Sequence, residues 1–266
     1  MRMCIFNNNG NVAKSTFANY VAYPRLGSDA EMIYVEDNNT IRGQVKGAKV
    51  YSATPEDFAE MIEYLSTNIV GHNIIVDFGS TESKVVRNLF VDCQGSWDEF
   101  DVFVVPHSPD AKQEDTALSL EFLSGLGVPS EKIQLIFTIV PSGKKPEKLF
   151  PSLFEYVKEK NNCVVDTHAV IYKTPLFDRI AGTDHTIESI LADTTDWQQK
   201  IIDAHPEKET KKDEISFYAW MKYNRGLAIM LVKDFDKVFD LVMSKSGFGN
   251  TKASAGKSAK KAVSNG

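Results

Sequence analysis

Lys14, Ser15 and Asp77 have the residue types and the spacing of a phosphate and metal site. Lys14 and Ser15 stand side by side after a loop of small and amide residues, and Asp77 closes an apolar run. A lysine next to a hydroxyl at the end of such a loop can neutralise the β- and γ-phosphates and ligate Mg²⁺. An aspartate at the end of a buried strand can hold the same Mg²⁺ through water. We therefore predict Lys14 and Asp77 as the charged groups of a nucleotide site, with Ser15 and Asp77 as its metal ligands.

The loop before Lys14 is predicted to join a strand to a helix. This arrangement points backbone N–H groups and the positive end of the helix dipole at one place, which suits a polyphosphate. Gly10 and the neighbouring asparagines tolerate positive φ, as such a loop requires. The pattern G-x-x-x-x-G-K-[ST] demands glycine where the chain has Asn8 and Ala13, so a polar turn with a solvated lysine is the alternative. The predicted cofactor-binding residues are Asn9, Gly10, Asn11, Val12, Ala13, Lys14, Ser15 and Thr16.

Composition favours one globular domain with an appended tail. The chain has 266 residues, of which 42% are hydrophobic, and we assign residues 1–244 to the domain and 245–266 to a disordered, lysine-rich tail. Its three cysteines and five histidines show neither a disulfide framework nor metal-ligand spacing. No apolar run approaches the ~20 residues that span a bilayer, and no leader sequence is visible. The expectation is a cytoplasmic protein that does not insert into membranes.

The charge is distributed unevenly along the chain. The net charge is −6, while the last 22 residues contain five lysines and no acid, so the body carries about −11. Because neutralisation of phosphates supplies most non-specific affinity for nucleic acid, such an acidic body is a poor general DNA binder. Direct DNA binding is therefore predicted to be weak at most and to use the tail.

Apolar segments alternate with helical patterns along most of the chain. Strands are predicted at 32–35, 73–80, 100–105 and 133–140, with a last short strand at 163–165. The helix after the loop is expected to be interrupted near Pro24. Since strands that alternate with helices form parallel sheets, we predict an α/β fold with a mostly parallel central sheet and helices on both faces.

The C-terminal part of the domain, about residues 195–244, is predicted to be helical and is rich in large side chains. Gly226 is a possible interruption. One interpretation is a helix, or a pair of helices, that closes the edge of the sheet. The other is a partner or dimer interface around residues 217–239, because aromatic side chains also dominate interfaces.

These motifs resemble the ParA/MinD family of deviant-Walker ATPases, and most of all its plasmid-stability StbB type. The family loop K-G-G-V-G-K-T-T corresponds to residues 9–16, and its magnesium-binding aspartate corresponds to Asp77. Its D-x-D-P segment corresponds to residues 36–39, and its adenine-reading asparagine corresponds to Thr138. The resemblance, which covers roughly residues 1 to 190, implies a P-loop NTPase fold that binds ATP or ADP with Mg²⁺.

Two departures from the family pattern bear on catalysis. The lysine that reaches across the family's dimer is replaced by Asn9, and the carboxylate that orients water falls on Asn38, with Asp37 one residue away. An amide can hold a water molecule but cannot accept its proton. Lys14, Asp77 and Asn38 are thus the candidate catalytic residues, and slow or absent hydrolysis is expected.

Three functions remain open from the sequence. The first is a ParA-like nucleotide switch in plasmid stability, segregation or conjugation, with a DNA-binding partner protein and a possible homodimer. The second is a pseudo-ATPase scaffold that recruits such a partner without nucleotide turnover. The third is a small-molecule ligase with a similar fold, for which the sequence shows no clear group of substrate-binding residues beside the loop.

Overall fold

Seven parallel strands form the centre of the part of the chain that the computed structural model describes, namely residues 1–36, 45–68, 72–79 and 83–246. The strands are β1 (Arg2–Ile5), β2 (Glu31–Val35), β3 (Lys49–Tyr51), β4 (Ile74–Phe78), β5 (Val102–His107), β6 (Ile133–Val140) and β7 (Val164–Tyr172). Their order across the sheet is β3-β2-β4-β1-β5-β6-β7. Because all of them run in one direction, the loops after β1, β2, β4, β5 and β6 meet at the same edge.

Eleven α-helices surround the sheet in the described ranges. They are α1 (Lys14–Thr16), α2 (Tyr23–Leu26), α3 (Pro55–Thr67), α4 (Ser83–Asp92), α5 (Gln113–Gly125), α6 (Pro146–Leu149), α7 (Pro151–Lys160), α8 (Leu176–Ile180), α9 (Ile187–Ala192), α10 (Trp197–Ala204) and α11 (Lys212–Lys245). In those same ranges, no helix is both long enough and apolar enough to cross a membrane.

Side chains alternate across the sheet and form two apolar layers. Cys4 and Phe6 point to the layer covered by α3, α4, α5 and α7. Met3 and Ile5 point to the opposite layer, covered by the helix after the loop, α8, α9 and α11. Since both faces of the strands are buried, the strands are apolar nearly throughout. The predicted α/β architecture, with helices on both faces and a C-terminal helix, is confirmed.

The helix after the loop changes type along its length. From α1 it continues as a π-helical turn over Phe17–Ala22 and then as α2. The N–H of Tyr23 donates to the carbonyl of Ala18, five residues back, as a π-helix requires. The helix ends at Leu26, before Gly27 with φ 107°. The predicted interruption at Pro24 is therefore wrong: the carbonyl of Tyr20, four residues before Pro24, accepts a hydrogen bond from the Arg25 guanidinium at 2.9 Å in place of the N–H that proline lacks.

Three further details differ from the sequence-based expectations. Helix α11 runs without a break through Gly226 for 34 residues, about 51 Å at 1.5 Å per residue. Strand β7 has nine residues, because it continues past the predicted 163–165 to Tyr172 and pairs again with β6 after a shift in register. Strand β3 was not predicted, since its three residues form no apolar run.

Candidate functional site

The loop after β1 occupies the middle of the sheet edge and leads directly into α1. Two of its residues adopt positive φ, namely Asn11 at 55° and Ala13 at 59°. Asn11 meets the expectation for an asparagine, whereas Gly10 has no positive φ and Ala13 does. Ala13 precedes Lys14, so the backbone at the start of the helix takes the turn that glycine makes more easily.

The ammonium group of Lys14 is folded into the concave side of this loop. Its Nζ atom donates to the carbonyl oxygens of Asn7 at 3.2 Å and Asn9 at 2.9 Å, and the residue is 7% exposed. Burial lowers the pKa of Lys14 from 10.5 to about 8, against the opposing charges of Asp77 and Glu36. A cation is thus held within the loop by backbone carbonyls.

Asp77 lies beside the loop because β4 pairs with β1 and places it opposite Ile5. Its carboxyl group is 1% exposed, and burial raises its pKa from 3.8 to about 6, while Ser15 and the Lys14 charge act in the opposite direction. Among the described residues, neither carboxylate oxygen has a partner at good hydrogen-bonding geometry, so Ser15 acts as a nearby dipole. A buried carboxylate without a hydrogen bond is rare, and with a hydroxyl beside it the pair fits Mg²⁺, which prefers oxygen ligands.

Glu36 is a further acid at this site that the sequence analysis did not select. It follows β2 directly, and its charge acts on the pKa of both Lys14 and Asp77. Gly79 packs against it so closely that a Cβ atom there would lie 2.7 Å from Cγ of Glu36. The signal available in the sequence was its position at the carboxyl end of the strand predicted at 32–35. Asn38 and Asp37, the predicted water-orienting positions, lie outside the described residues.

Behind the loop, amide side chains bind to helix α5. The Asn7 amide donates to the Pro106 carbonyl at 2.7 Å and to Oγ1 of Thr116 at 3.1 Å. The Asn9 amide donates to the Lys112 carbonyl at 3.0 Å and to the same Oγ1 at 3.1 Å. The Asn9 side chain therefore points toward the interior of its own subunit.

His107 and Thr138 support the loop from the ends of β5 and β6. Nδ1 of His107 lies 2.8 Å from Oγ1 of Thr116, and burial lowers the pKa of His107 from 6.5 to about 4. The Thr138 hydroxyl lies 3.0 Å from the Val12 carbonyl and 3.2 Å from that of His107. Thr138, the position that corresponds to the adenine-reading asparagine, is thus fully buried under the loop.

The predicted loop residues divide into exposed and buried positions. Gly10 and Asn11 are exposed, Ser15 and Thr16 are partly exposed, and the Val12 side chain is buried.

A cavity of about 560 Å³ lies farther along the same sheet edge, after β6 and β7, and its lining includes Ser142, Tyr172 and Pro175. Its volume is in the range that holds small organic ligands.

No protein-family model matches the sequence, and no curated protein matches it. Solved structures similar to this chain include the ATP complex of a McdA variant from Cyanothece, with 10% identity, a TM-score of 0.46 and coverage of 92% of this chain and 96% of that one. A Borrelia burgdorferi protein assigned to plasmid partition, bound to AMPPNP, shares 14% identity with a TM-score of 0.42, over 84% of this chain and 96% of that one. A chain of the MinC:MinD cell division complex of Aquifex aeolicus shares 12% identity with a TM-score of 0.45, over 66% and 84%. These likenesses are distant, and the function proposed below is based on this chain's own residues.

Proposed function

We propose that the chain binds ATP and ADP with Mg²⁺ through the loop between β1 and α1 and acts as a ParA-like nucleotide switch. The observation that carries the proposal is the pairing of Lys14, an ammonium group held within the loop, with Asp77, a buried carboxylate next to it. Two opposite charges enclosed at a strand-loop-helix junction are costly for folding alone, which favours a functional role.

Each residue of the site has a distinct task in this proposal. The backbone N–H groups of residues 9–16 bind the phosphate oxygens, and Lys14 leaves its two loop carbonyls to contact the β- and γ-phosphates. The Ser15 hydroxyl ligates Mg²⁺, while Asp77 holds it through water. Bound Mg²⁺ supplies neutralisation of the phosphate charge. Burial lowers the pKa of Lys14, and the charges of Asp77 and then Glu36 oppose this change.

Hydrolysis by this protein is proposed to be slow or absent. Asn9 offers no positive charge, and its amide is committed to Lys112 and Thr116 within its own subunit. With an amide at Asn38 as well, the position that corresponds to the family's water-orienting carboxylate cannot accept a proton from the attacking water. In this proposal Lys14 and Asp77 contribute to the binding of the nucleotide and little to its hydrolysis.

The biological role that we propose is in plasmid stability, segregation or conjugation, in the cytoplasm. It rests on the loop and strand-end motifs that resemble the ParA/MinD family. Specific DNA targeting would come from a DNA-binding partner, docked on the helical region of residues 217–239, where Phe217 is 43% exposed and stacks on Trp220. A homodimer is compatible with the same role.

Thermal denaturation with MgATP, MgADP and no ligand tests nucleotide binding. A ligand that binds only the native state must raise its melting temperature. We expect a rise with both nucleotides in the wild type and none in Lys14→Ala, while Lys148→Ala, which removes an exposed lysine of α6, behaves as the wild type. A wild type that responds to neither nucleotide at millimolar concentration, or a Lys14→Ala variant that responds fully, would contradict the proposal.

The scaffold alternative is favoured by the inward turn of Asn9. Release of inorganic phosphate, followed over hours with and without Mg²⁺, separates the two. A slow, Mg²⁺-dependent release that Lys14→Ala abolishes supports a switch. Nucleotide binding without any release supports the scaffold.

A further inference from the structure

We propose that Thr116, on helix α5, is the positioning residue for the nucleotide loop, acting through Asn7 and Asn9 on Lys14. The inference rests on the proposed function, since the loop it positions is the proposed phosphate site. Thr116 itself is fully buried behind the loop and touches no ligand in this account. It is more than one hundred residues away from the loop in sequence.

Three hydrogen bonds converge on the Thr116 hydroxyl. Oγ1 lies 3.1 Å from Nδ2 of Asn7, 3.1 Å from Nδ2 of Asn9 and 2.8 Å from Nδ1 of His107. The other contacts of the two amides fix their orientation. Each Nδ2 also donates to a carbonyl, and Oδ1 of Asn7 accepts from the N–H of Asn9 at 2.9 Å.

Counting the available hydrogens identifies the donor in each of the three hydrogen bonds at Oγ1 of Thr116. A hydroxyl has one hydrogen and two lone pairs, and both lone pairs of Oγ1 accept from the asparagine amides. Its hydrogen then goes to Nδ1 of His107, which places the imidazole proton on Nε2, an atom that is buried without a partner among the described residues. Protonation of His107 on both nitrogens would break this pattern, and its depressed pKa is consistent with a neutral ring.

The same two asparagines hold the lysine. The backbone carbonyls of Asn7 and Asn9 are the acceptors for Nζ of Lys14, while their side chains are fixed by Thr116. A displacement of either asparagine would therefore move the cation that the proposal assigns to the phosphates. In this chain the rear of the loop is fixed by side chains of the neighbouring helix, so few alternative loop conformations are open before ligand binds.

Two substitutions separate the hydroxyl from the shape of the side chain. Thr116→Val keeps the volume but leaves one N–H of each asparagine amide without an acceptor and Nδ1 of His107 without a donor, whereas Thr116→Ser keeps the hydroxyl. We expect the Kd for MgADP to rise about tenfold in Thr116→Val and to change less than about twofold in Thr116→Ser. Ser96→Ala, which removes a buried hydroxyl away from the loop, is the matched control and should leave the Kd unchanged.

The measurements are calorimetric Kd values at a temperature where every variant is folded, together with amide hydrogen exchange of residues 7–13 without ligand. Because Kd refers to folded protein, a general loss of stability would not change it. Faster exchange in Thr116→Val, but not in Thr116→Ser or Ser96→Ala, supports positioning. Equal Kd values and equal exchange in Thr116→Val and the wild type would overturn it.

The exchange experiment also separates this inference from the proposed function. If the wild type binds no nucleotide, the proposed function fails. Faster loop exchange in Thr116→Val would then still support Thr116 as the residue that fixes the loop, and unchanged exchange would overturn that too.

Discussion

The two sides of the loop between β1 and α1 are built on opposite principles. The rear side, formed by Asn7, Asn9, Thr116 and His107, is neutral. Its two amides and Nδ1 of His107 meet at the shared threonine hydroxyl, while Nε2 of His107 is buried without a partner among the described residues. The front side has the charges of Lys14, Asp77 and Glu36, and Asp77 has no well-formed hydrogen bond from any described residue.

Folding alone pairs most polar groups on the rear side, whereas the charges on the front side are left for a ligand to compensate. Neutral groups that satisfy one another add stability and restrict motion. Buried charges that are only partly compensated lower stability and persist where they are used. Substitutions on the rear side should therefore lower stability, whereas substitutions on the front side should raise stability and lower binding.

The largest effect is expected from Asn7→Ala at the rear. This change removes two donated hydrogen bonds and the acceptor for the Asn9 N–H, and leaves the Pro106 carbonyl buried without a partner. We expect the free energy of unfolding in urea to fall by about 3 kcal/mol. Asn88→Ala, on the exposed face of α4, should change the free energy of unfolding by well under about 1 kcal/mol and serves as the control. A loss as small as the control's would mean that the rear network adds little.

At the front, Asp77→Asn is expected to raise stability by about 1–2 kcal/mol at pH 8. The pKa of Asp77 is raised to about 6 in the folded state, so its stabilising contribution is complete below 3.8 and is lost as the pH rises through 6. The asparagine amide does not ionise, so the variant avoids this loss of stability. It also lacks the attraction between the carboxylate and Lys14, which makes the increase in the free energy of unfolding smaller.

Urea unfolding at pH 8 and pH 5 checks this sign. The gain from Asp77→Asn should shrink at pH 5, where the carboxyl group of the wild type is largely protonated. The same variant should lose the Mg²⁺-dependent part of ATP binding. Asp240→Asn, on the exposed side of α11, controls for net charge. If Asp77→Asn is less stable than the wild type at pH 8, then the Asp77 carboxylate stabilises the fold and the contrast between the two sides is wrong.

A third change tests the missing catalytic groups. Asn38→Asp supplies a carboxylate that can accept a proton from water, and we expect phosphate release to rise about tenfold. Asn9→Lys added to it should raise the rate further but lower stability, because the two hydrogen bonds of the Asn9 amide are lost. A wild-type rate that neither change affects would show that turnover, if present, uses other residues.

The smallest effect concerns the junction of the two sides. Ala13 has φ 59°, a conformation that costs a residue with a Cβ about 1–2 kcal/mol relative to glycine. Part of this is offset by the greater freedom of glycine in the unfolded chain. Ala13→Gly should therefore raise the free energy of unfolding by at most about 1 kcal/mol, whereas Ala117→Gly within α5 should lower it. A destabilised Ala13→Gly variant would contradict this account of the turn.

The front of the site could be predicted from sequence, whereas the rear could not. Lys14 and Ser15 are adjacent, and Asp77 ends an apolar run, so local patterns were sufficient to select them. Thr116 and His107 lie far from the loop in sequence and have no motif of their own. Their role depends on the pairing of β1 with β5, which brings α5 behind the loop. Glu36 lay within the compared motif, but its effect on both charges follows only from three-dimensional proximity.

The same contrast holds for the fold. Strands with continuous apolar residues, such as β4 and β6, were predicted at nearly their observed bounds because burial on both faces leaves a clear pattern. Strand β3 is only partly buried, and pairing with β2 determines it. Strand β7 was predicted only at its start, because the polar residues 166–168 separate that start from the buried second half. The division at residue 244 between domain and tail stays a prediction.

The π-helical turn over Phe17–Ala22 also determines how the first helix faces the sheet. A π turn accommodates one more residue than an α turn, so it acts as a single-residue insertion absorbed inside a helix. Deleting one residue there and restoring α geometry would leave the two ends of the helix in the same relative orientation, because the wide turn already absorbs the roughly 100° that one residue spans at 3.6 per turn. Asn19 lies within this turn and accepts a hydrogen bond from the buried Tyr34 hydroxyl at 2.6 Å. The phase of this helix, and not only its composition, is thus part of what the sequence encodes.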